Sequence, residues 1–356
     1  MTVLWINLAI VFLCSLLSRY FSRTLELNGS LVSLKPNKLL AFGTLISFIL
    51  VSGLRNNIGD TPFYVHTYNI TDFTWDLIKS QDDIGFGILQ LILKRYSDDP
   101  QILIFTTAFI TNVLIIIGLY QYSRLFELSV YVYITGGLFL VTMNGIRQCL
   151  ATAIIFTATK YLIEGNWFKY IVVVIFASLF HQSALILIPI YFLVRYKAWS
   201  KATLILLLFS GLIVLGFNQF SSLLFSAIQD TQYGVYSNIN EGGANILRVI
   251  VFGMPLIIAF FGREKLREIY PESDIIVNMA IIGLSFMIIS MGNWIFARFN
   301  IYFELYQIIL ISWIVKVFRE KDQKLVYYAI IICYLTYYFF ESVINLNIKY
   351  GSNYLG

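Results

Sequence analysis

Apolar residues run in long stretches along this chain, and short polar segments separate the stretches. A helix needs roughly 20 mainly apolar residues to cross about 30 Å of hydrocarbon. Lipid offers the backbone no hydrogen-bond partner, so segments that cross it must be helical. The pattern predicts an all-α, polytopic integral membrane helical bundle with about 12 membrane segments, one pair of them a short hairpin. The predicted segments are 2–18, 39–54, 101–122, 126–143, 147–163, 168–180, 182–194, 202–217, 247–261, 275–291, 295–316 and 326–345.

Two longer hydrophilic segments interrupt this series, at 55–100 and 218–246. No linker of biased composition and no fixed-period repeat divides the chain, so residues 1–356 are expected to form a single transmembrane domain. The stretch 168–194 is either one long span or two short helices that meet at His181. Basic residues flank it on both sides, which favours a short hairpin with both of its ends in the cytoplasm.

Composition supports the membrane class, and the placement of charge gives an orientation. The chain is 58% hydrophobic and 13% charged, whereas a soluble domain carries about 25% charged residues. The basic residues of alternate loops are Arg19, Arg23, Lys35, Lys38, Arg124, Lys160, Lys169, Arg195, Lys197, Lys201, Arg263, Lys265, Arg267, Lys316, Arg319, Lys321 and Lys324. The positive-inside rule makes these loops cytoplasmic and directs both termini, 55–100 and 218–246 outward. A net charge of +5 placed in this way reflects membrane orientation and predicts no nucleic-acid partner.

Four outward arginines lie at or inside the ends of spans and not on long polar loops: Arg55, Arg147, Arg248 and Arg298. Ionisable residues inside the membrane edge cost a few kcal/mol on insertion scales and are usually functional. Guanidinium groups bind phosphate through paired hydrogen bonds, which lysine cannot match. One interpretation is that the four arginines form a shared basic pocket. The other is that each side chain snorkels to the lipid headgroups.

Three further residues are candidates for chemistry on the outward side. Asp60 precedes Thr61-Pro62. Either Thr61 caps a helix that has Pro62 in its first turn and Asp60 at its positive end, or Asp60 is a carboxylate placed near Arg55 as a base. Tyr64 follows one helical turn later and is expected to line the same pocket. His181 is one of two histidines. It is either a packed core residue or an imidazole that exchanges a proton near neutral pH.

The predicted eleventh span carries an aromatic stripe. Trp294, Arg298 and Tyr302 are spaced at i, i+4 and i+8 and share one helix face. An arginine between two aromatic rings suits a sugar phosphate, whereas an interfacial aromatic belt would explain Trp294 alone. No Walker loop, zinc-ligand spacing or nucleophile elbow is present. The sequence therefore predicts neither a metal nor a cofactor.

Four short segments, in this order, resemble those of a known family. They are Gly53-Leu54-Arg55 with Gly59-Asp60-Thr61 and Tyr64; Asn144-Gly145-Ile146-Arg147-Gln148; Phe180-His181-Gln182-Ser183-Ala184; and Ala297-Arg298-Phe299 with Tyr302-Phe303. On these segments the chain resembles the EpsG family of bacterial membrane proteins, which are similar to Wzy-type polysaccharide polymerases.

The resemblance implies glycosyl transfer outside the bacterial plasma membrane, in a bundle similar to the lipid-dependent multi-span glycosyltransferases. The implied donor is a glycan on a polyprenyl diphosphate, and the acceptor is a hydroxyl on the next lipid-linked repeat unit, with no nucleotide sugar and no cofactor. Arg55, Arg147, His181 and Arg298 would line the active site, whereas Arg248 rests on its position alone. Membrane lipids and other polysaccharide-export proteins are the implied partners.

Two other classes of protein remain open at this point. A transporter or flippase of lipid-linked sugars would also need outward arginines, but it should show inverted repeats, and no matching halves are found. A membrane O-acyltransferase acting on sugars would use a histidine that reaches a cytoplasmic acyl donor. The predicted topology places His181 on the outer side instead.

Overall fold

The computed structural model describes residues 1–27, 31–217 and 242–355, and this part of the chain is almost entirely helical. The first eight helices, through the middle of the chain, are α1 Thr2–Tyr20, α2 Lys38–Gly53, α3 Thr61–Ile70, α4 Trp75–Lys79, α5 Ile84–Tyr96, α6 Gln101–Tyr122, α7 Phe126–Thr135 and α8 Leu138–Asn144. The others are α9 Ile146–Thr157, α10 Thr159–Glu164, α11 Trp167–Ser178, α12 Leu187–Leu193, α13 Lys201–Leu215, α14 Ile246–Phe261, α15 Arg263–Ile269, α16 Ser273–Ile289, α17 Ile295–Ile314 and α18 Glu320–Tyr338.

Each predicted membrane segment coincides with a helix or a helix pair, but the predicted number of spans is not confirmed. Among the described residues, four helices are long and apolar enough to cross a membrane: Thr2–Tyr20, Gln101–Tyr122, Ile295–Val317 and Glu320–Asn345. The bent pairs α7 with α8 and α14 with α15 raise this to six if each pair is one span. The remaining apolar helices have 10–17 residues, fewer than a full crossing needs. The protein is a multi-pass membrane protein with four to six candidate spans.

One small sheet departs from the all-α prediction. Arg23–Leu27 and Leu31–Lys35 form an antiparallel hairpin in which Arg23 pairs with Lys35 and Leu27 pairs with Leu31. The hairpin lies in the predicted cytoplasmic loop, and in its first strand Leu25 and Leu27 alternate with Thr24 and Glu26. That period of two is typical of strands, and a search for long apolar runs passes over it.

The described chain forms two compact units, Met1–Leu185 with Ile311–Gly356, and Ile186–Leu310. Helices of one membrane domain can form separate packing units, so the single transmembrane domain stays a prediction. Of the two segments expected outside the cytoplasm, most of 218–246 falls outside the described residues. The segment 55–100 lies in the first unit and carries α3, α4 and α5.

Helices α1 and α2 of the first unit run antiparallel. The Asn37 amide donates to the Ser18 carbonyl at 2.8 Å, and the Ser47 hydroxyl donates to the Asn7 side chain at 2.8 Å. The end of α2 meets the start of α6, because the Gln101 side chain donates to the Gly53 carbonyl at 2.5 Å. One end of this unit therefore gathers the start of α1, the end of α2 and the start of α6.

The opposite end of the first unit is held by basic and aromatic side chains. Arg19 pairs with the fully buried Glu127, which lies in the first turn of α7, where a helix favours negative charge. The Trp313 indole donates to the Tyr122 carbonyl at 2.8 Å, and Arg124 lies over the Trp313 ring at 6.0 Å from its centroid. These contacts join the end of α1 to the start of α7, and the end of α6 to the end of α17, where the sequence places cytoplasmic loops.

A short C-terminal segment, 349–353, is bonded to the loop that follows α2. The Asn57 side chain donates to the Lys349 carbonyl at 2.9 Å and accepts from the Gly351 amide at 2.6 Å. The Tyr350 hydroxyl donates to the Val51 carbonyl at 2.8 Å. This segment therefore lies at the same end of the first unit as Arg55.

In the second unit, α13, α16 and α17 contribute to an apolar cluster of Ile213, Ile289, Ile295 and Phe296. Gly283 permits a close approach between α16 and α17. A Cβ atom there would lie 2.7 Å from Asn300 Oδ1 and 2.8 Å from the Phe303 Cβ. An alanine at this position would force α16 and α17 apart.

Candidate functional site

Three groups that the sequence separates meet at one buried carboxylate in the first unit. Asp83 Oδ2 accepts a hydrogen bond of 2.7 Å from Arg147 Nη1 and lies 3.3 Å from His181 Nδ1. Asp83 Oδ1 accepts from the Gln182 backbone amide at 3.0 Å. The Asp83 side chain is 4% exposed, His181 is 12% exposed and Arg147 is 38% exposed. We call Asp83, Arg147, His181 and Tyr64 the Asp83 cluster.

Local chain geometry explains how Asp83 and His181 come together. Asp83 immediately precedes α5, and His181 follows the break after α11. The Gly85 amide donates to the Leu179 carbonyl at 2.7 Å. A Cβ atom at Gly85 would lie 2.9 Å from the Leu179 Cβ and 3.0 Å from its carbonyl oxygen, closer than side chains tolerate. A glycine is therefore required where the two segments cross.

Tyr64 completes the cluster from α3. The Tyr64 side chain is buried and hydrogen-bonds with Arg147. Burial raises the pKa of the Tyr64 phenol, while the Arg147 guanidinium opposes this rise. Tyr64 also packs in an apolar layer with Phe86, Leu103 and Ile146. That layer fixes α3, α5, α6 and α9 beneath the polar groups.

Arg55 lies beside this cluster but in the protein interior. It is 1% exposed, whereas the sequence predicted an arginine open to an outward pocket. Its Nε donates to the Thr61 hydroxyl at 2.9 Å, its Nη2 donates to the Met143 carbonyl at 2.7 Å, and its Nη1 donates to the Ser52 carbonyl. Burial lowers the pKa of Arg55 to about 10, so the group stays charged at neutral pH. The guanidinium joins α2, α3 and α8.

Arg55→Lys is therefore expected to destabilise the protein. A single ammonium cannot satisfy three acceptors that lie around a planar fork. A buried acceptor left without a donor costs about 1–3 kcal/mol. The measurement is the thermal unfolding midpoint in detergent, with Arg95→Lys, an exposed arginine of α5, as the matched control. Unchanged stability together with lost activity would contradict this structural role and favour direct contact with a ligand.

Asp60 occupies the N-cap position of α3, which begins at Thr61 and not after it as the cap prediction assumed. The Asp60 side chain makes no capping hydrogen bond. The Asp60 backbone amide donates to Asn144 Oδ1 at 2.8 Å. Gly59 has a φ of +52°, and a Cβ atom there would lie 2.2 Å from Asn144 Oδ1. Asn144 therefore ties the Gly59-Asp60-Thr61 turn to the start of α9, close to Arg147.

The other predicted site residues belong to the second unit. The Arg298 guanidinium lies over the Trp294 ring at 4.9 Å from its centroid, so two members of the predicted stripe are in contact. Trp294 precedes α17 and does not lie on the helix. Tyr302, the third member, is buried at 1% exposure. Arg248 lies near the start of α14 and within electrostatic reach of Glu304.

Comparison with known proteins identifies the family to which this arrangement belongs. A family model described as the EpsG family matches residues 38–353, most of the chain. The chain belongs to the EpsG family. EpsG proteins are Wzy-like polysaccharide polymerases, which confirms the resemblance stated from the four sequence segments. No curated protein and no solved structure matches the chain.

The sequence analysis of this EpsG protein did not single out Asp83 or Asn144, although both make contacts at the candidate site. Asp83 stands in a polar segment without helical periodicity, and only its position two residues before Gly85 distinguishes it from Asp82. Asn144 was seen only as the first residue of a segment with Gly145 and Arg147. Both act through contacts with residues more than 60 positions away, and local pattern does not reveal such contacts.

Proposed function

We propose that this EpsG protein polymerises oligosaccharide repeat units carried on a polyprenyl diphosphate, at the outer face of the bacterial plasma membrane. The product would be an exopolysaccharide, capsule or O-antigen chain. The observation that carries the proposal is the Asp83 cluster, where a partly exposed guanidinium and an imidazole contact one carboxylate oxygen. Membership of the EpsG family supports polysaccharide polymerisation as the reaction class.

The distribution of charge supports the outward placement. The Asp83 cluster lies at the end of the first unit that holds Arg55 and the 349–353 segment. The opposite end holds Arg19 and Arg124, from the loops that the positive-inside rule assigns to the cytoplasm. A lipid-linked substrate on the outer leaflet would meet the cluster from the outward side.

The chemistry follows from the residue types. An acceptor hydroxyl attacks the anomeric carbon of the donor glycan, and the bond between that carbon and the diphosphate oxygen breaks. Polyprenyl diphosphate leaves with the bonding electrons, and His181 takes the proton of the hydroxyl. Arg147 stabilises the charge that develops on the diphosphate. Tyr64 lines the site beside Arg147.

The second unit supplies further candidates for this proposal. Arg298, stacked on Trp294, offers a guanidinium and an aromatic face to a sugar phosphate. Arg248 and Tyr302 are proposed as binding residues from their sequence positions, and Asp60 is kept as a second candidate base. Each is tested by substitution in the assay described next.

The proposal is tested with purified protein in liposomes and the lipid-linked repeat unit extracted from producing cells that lack this protein. The expected result is a ladder of products, with one polyprenyl diphosphate released for every glycosidic bond formed. No nucleotide sugar should be required. Free polyprenyl diphosphate and product length are measured together over time.

Two outcomes of this assay would replace the proposal. Movement of the lipid-linked repeat unit across the bilayer, with no diphosphate released and no ladder, would indicate a flippase. Modification of the glycan that requires an acyl donor would indicate a membrane sugar O-acyltransferase. Neither outcome would alter the family assignment.

A further inference from the structure

The carboxylate at the centre of the Asp83 cluster has no role in the proposed glycosyl transfer. It nevertheless makes three contacts that fix it: with Arg147 Nη1 at 2.7 Å, with His181 Nδ1 at 3.3 Å and with the Gln182 amide at 3.0 Å. The Asp83 residue is 3% exposed. A buried carboxylate with several partners is set in place before any substrate binds.

We propose that Asp83 is the positioning residue of His181. It holds the imidazole with the proton on Nδ1, facing the carboxylate, and so leaves Nε2 as the atom that takes the proton of the acceptor hydroxyl. The catalytic consequence rests on the proposed function, whereas the tautomer and orientation of the ring do not.

The assignment of the proton follows from the chemistry of the partners. A carboxylate is only an acceptor of hydrogen bonds, so a neutral imidazole that bonds to it through Nδ1 must carry its single proton there. The other nitrogen, Nε2, is then bare and basic. In the opposite tautomer two lone pairs would face each other across 3.3 Å. The same logic fixes histidine tautomers wherever a carboxylate or carbonyl bonds to the second ring nitrogen.

The backbone around His181 restrains the ring from the other direction. The Gln182 amide donates to Asp83 Oδ1 while the His181 ring meets Asp83 Oδ2. The two oxygens of the Asp83 carboxylate thus contact two consecutive residues, His181 and Gln182, of the segment that follows α11. The Gly85 amide donates to the Leu179 carbonyl at 2.7 Å and closes the loop. The backbone contacts on both sides of His181 therefore keep its ring beside Asp83, and rotation of the ring would break its contact with Asp83 Oδ2.

Asp83 also fixes the spacing between the proposed base and the proposed diphosphate ligand. Its Oδ2 contacts both the His181 ring and the Arg147 guanidinium. Holding two catalytic groups against one fixed carboxylate oxygen avoids the entropic cost of aligning them for each turnover. Loss of Asp83 should therefore affect turnover more than the amount of substrate bound.

The first test reads the tautomer directly. His66 and His181 are the two histidines of the chain, and His66 is exposed on α3. A His66→Gln background labelled with [15N]histidine therefore reports on His181 alone, in detergent and at a pH where the ring is neutral. The expected spectrum shows a protonated Nδ1 and a bare Nε2. In Asp83→Ala and Asp83→Asn this single form should give way to a mixture that includes protonated Nε2.

Two further variants separate position from charge. Gly85→Ala keeps the Asp83 carboxylate but forces the start of α5 away from Leu179, and should also mix the tautomers. Asp82→Asn removes an exposed carboxylate one residue away and should leave the spectrum unchanged. Protonated Nε2 in the unsubstituted protein, or an unchanged spectrum in Asp83→Ala, would overturn the proposal.

The second test is a double-mutant cycle in the liposome assay. Asp83→Ala is expected to lower the maximal rate by about 100-fold, the lower range for general acid–base groups, with a much smaller change in KM. In a His181→Ala background the same substitution should cause no further loss, because Asp83 acts through the ring. Additive losses would show that Asp83 acts elsewhere. If His181→Ala alone kept full activity, the proposed base would fail, while the spectrum would still decide the Asp83 proposal.

Discussion

His181→Ala is expected to abolish polymerisation while the protein still accumulates in the membrane. Loss of a positioned general base typically costs about 10²–10⁴-fold in rate, and alanine offers neither nitrogen. His181 is partly buried and its ring contacts Asp83, so alanine should have a modest effect on packing. The measurement is polyprenyl diphosphate release and product length, normalised to folded protein.

Two control variants show whether the loss of activity comes from the His181 imidazole itself. One tests the effect of side-chain volume, and the other tests the effect of replacing a different histidine. His181→Gln restores much of the side-chain volume and can still contact Asp83, but it cannot accept a proton at neutral pH, so its activity should be as low as that of alanine. His66→Ala, on the exposed face of α3, should keep the rate of the unsubstituted protein. Normal polymer from His181→Gln would make His181 a packing residue.

Arg147→Lys is expected to lower the rate by about 100-fold, in the range found when one donor to a developing anion is removed. Lysine keeps the charge and can pair with Asp83, but it cannot offer two parallel N–H groups to a diphosphate. The Arg147 side chain is 38% exposed, so part of its guanidinium faces outward beyond Asp83 and Tyr64. The assay is the same release measurement, with substrate concentration varied.

The alternative for Arg147 is snorkelling, which lysine performs equally well. Arg95→Lys serves as the matched control, because Arg95 is an exposed arginine at the end of α5, in the hydrophilic segment 55–100 and outside the Asp83 cluster. It should retain the rate of the unsubstituted protein. An unimpaired Arg147→Lys enzyme would identify an interface anchor and move the diphosphate site to the second unit, where Arg298→Lys becomes the informative variant.

Helix positions followed closely from the sequence, because long apolar runs leave few alternatives in lipid. Gln101–Tyr122 coincides with a predicted span at both ends. The bends between consecutive helices could not be predicted from the sequence. Helices α7 and α8 meet at 56°, where Gly137 adopts a φ of +99°, and hydropathy carries no signal for such a turn. The predicted count of about 12 membrane segments is not confirmed, because the shorter apolar helices resemble spans in composition but have only 10–17 residues.

The site was predictable in its residue types but not in its connections. Arg147 and His181 stood out because ionisable groups at span ends are uncommon, and Tyr64 stood out because it follows Asp60 by one helical turn. The burial of Arg55 depends on the Met143 carbonyl, 88 positions away, and no local pattern reveals that partner. Asp83 was hidden for the same reason: its partners lie 64 and 98 positions away. Long-range pairing is what the sequence alone leaves undetermined.

The hydrogen bonds between the 349–353 segment and the loop after α2 determine when this part of the protein can fold during synthesis. The contacts join residues 292 to 299 positions apart, and a translating ribosome adds roughly 5–20 residues per second. The loop beside Arg55 therefore emerges and inserts many seconds before its partner segment exists. Until then, Asn56 and Asn57 lack these partners, so the end of the first unit that holds Arg55 is completed after the helices beneath it are in the bilayer.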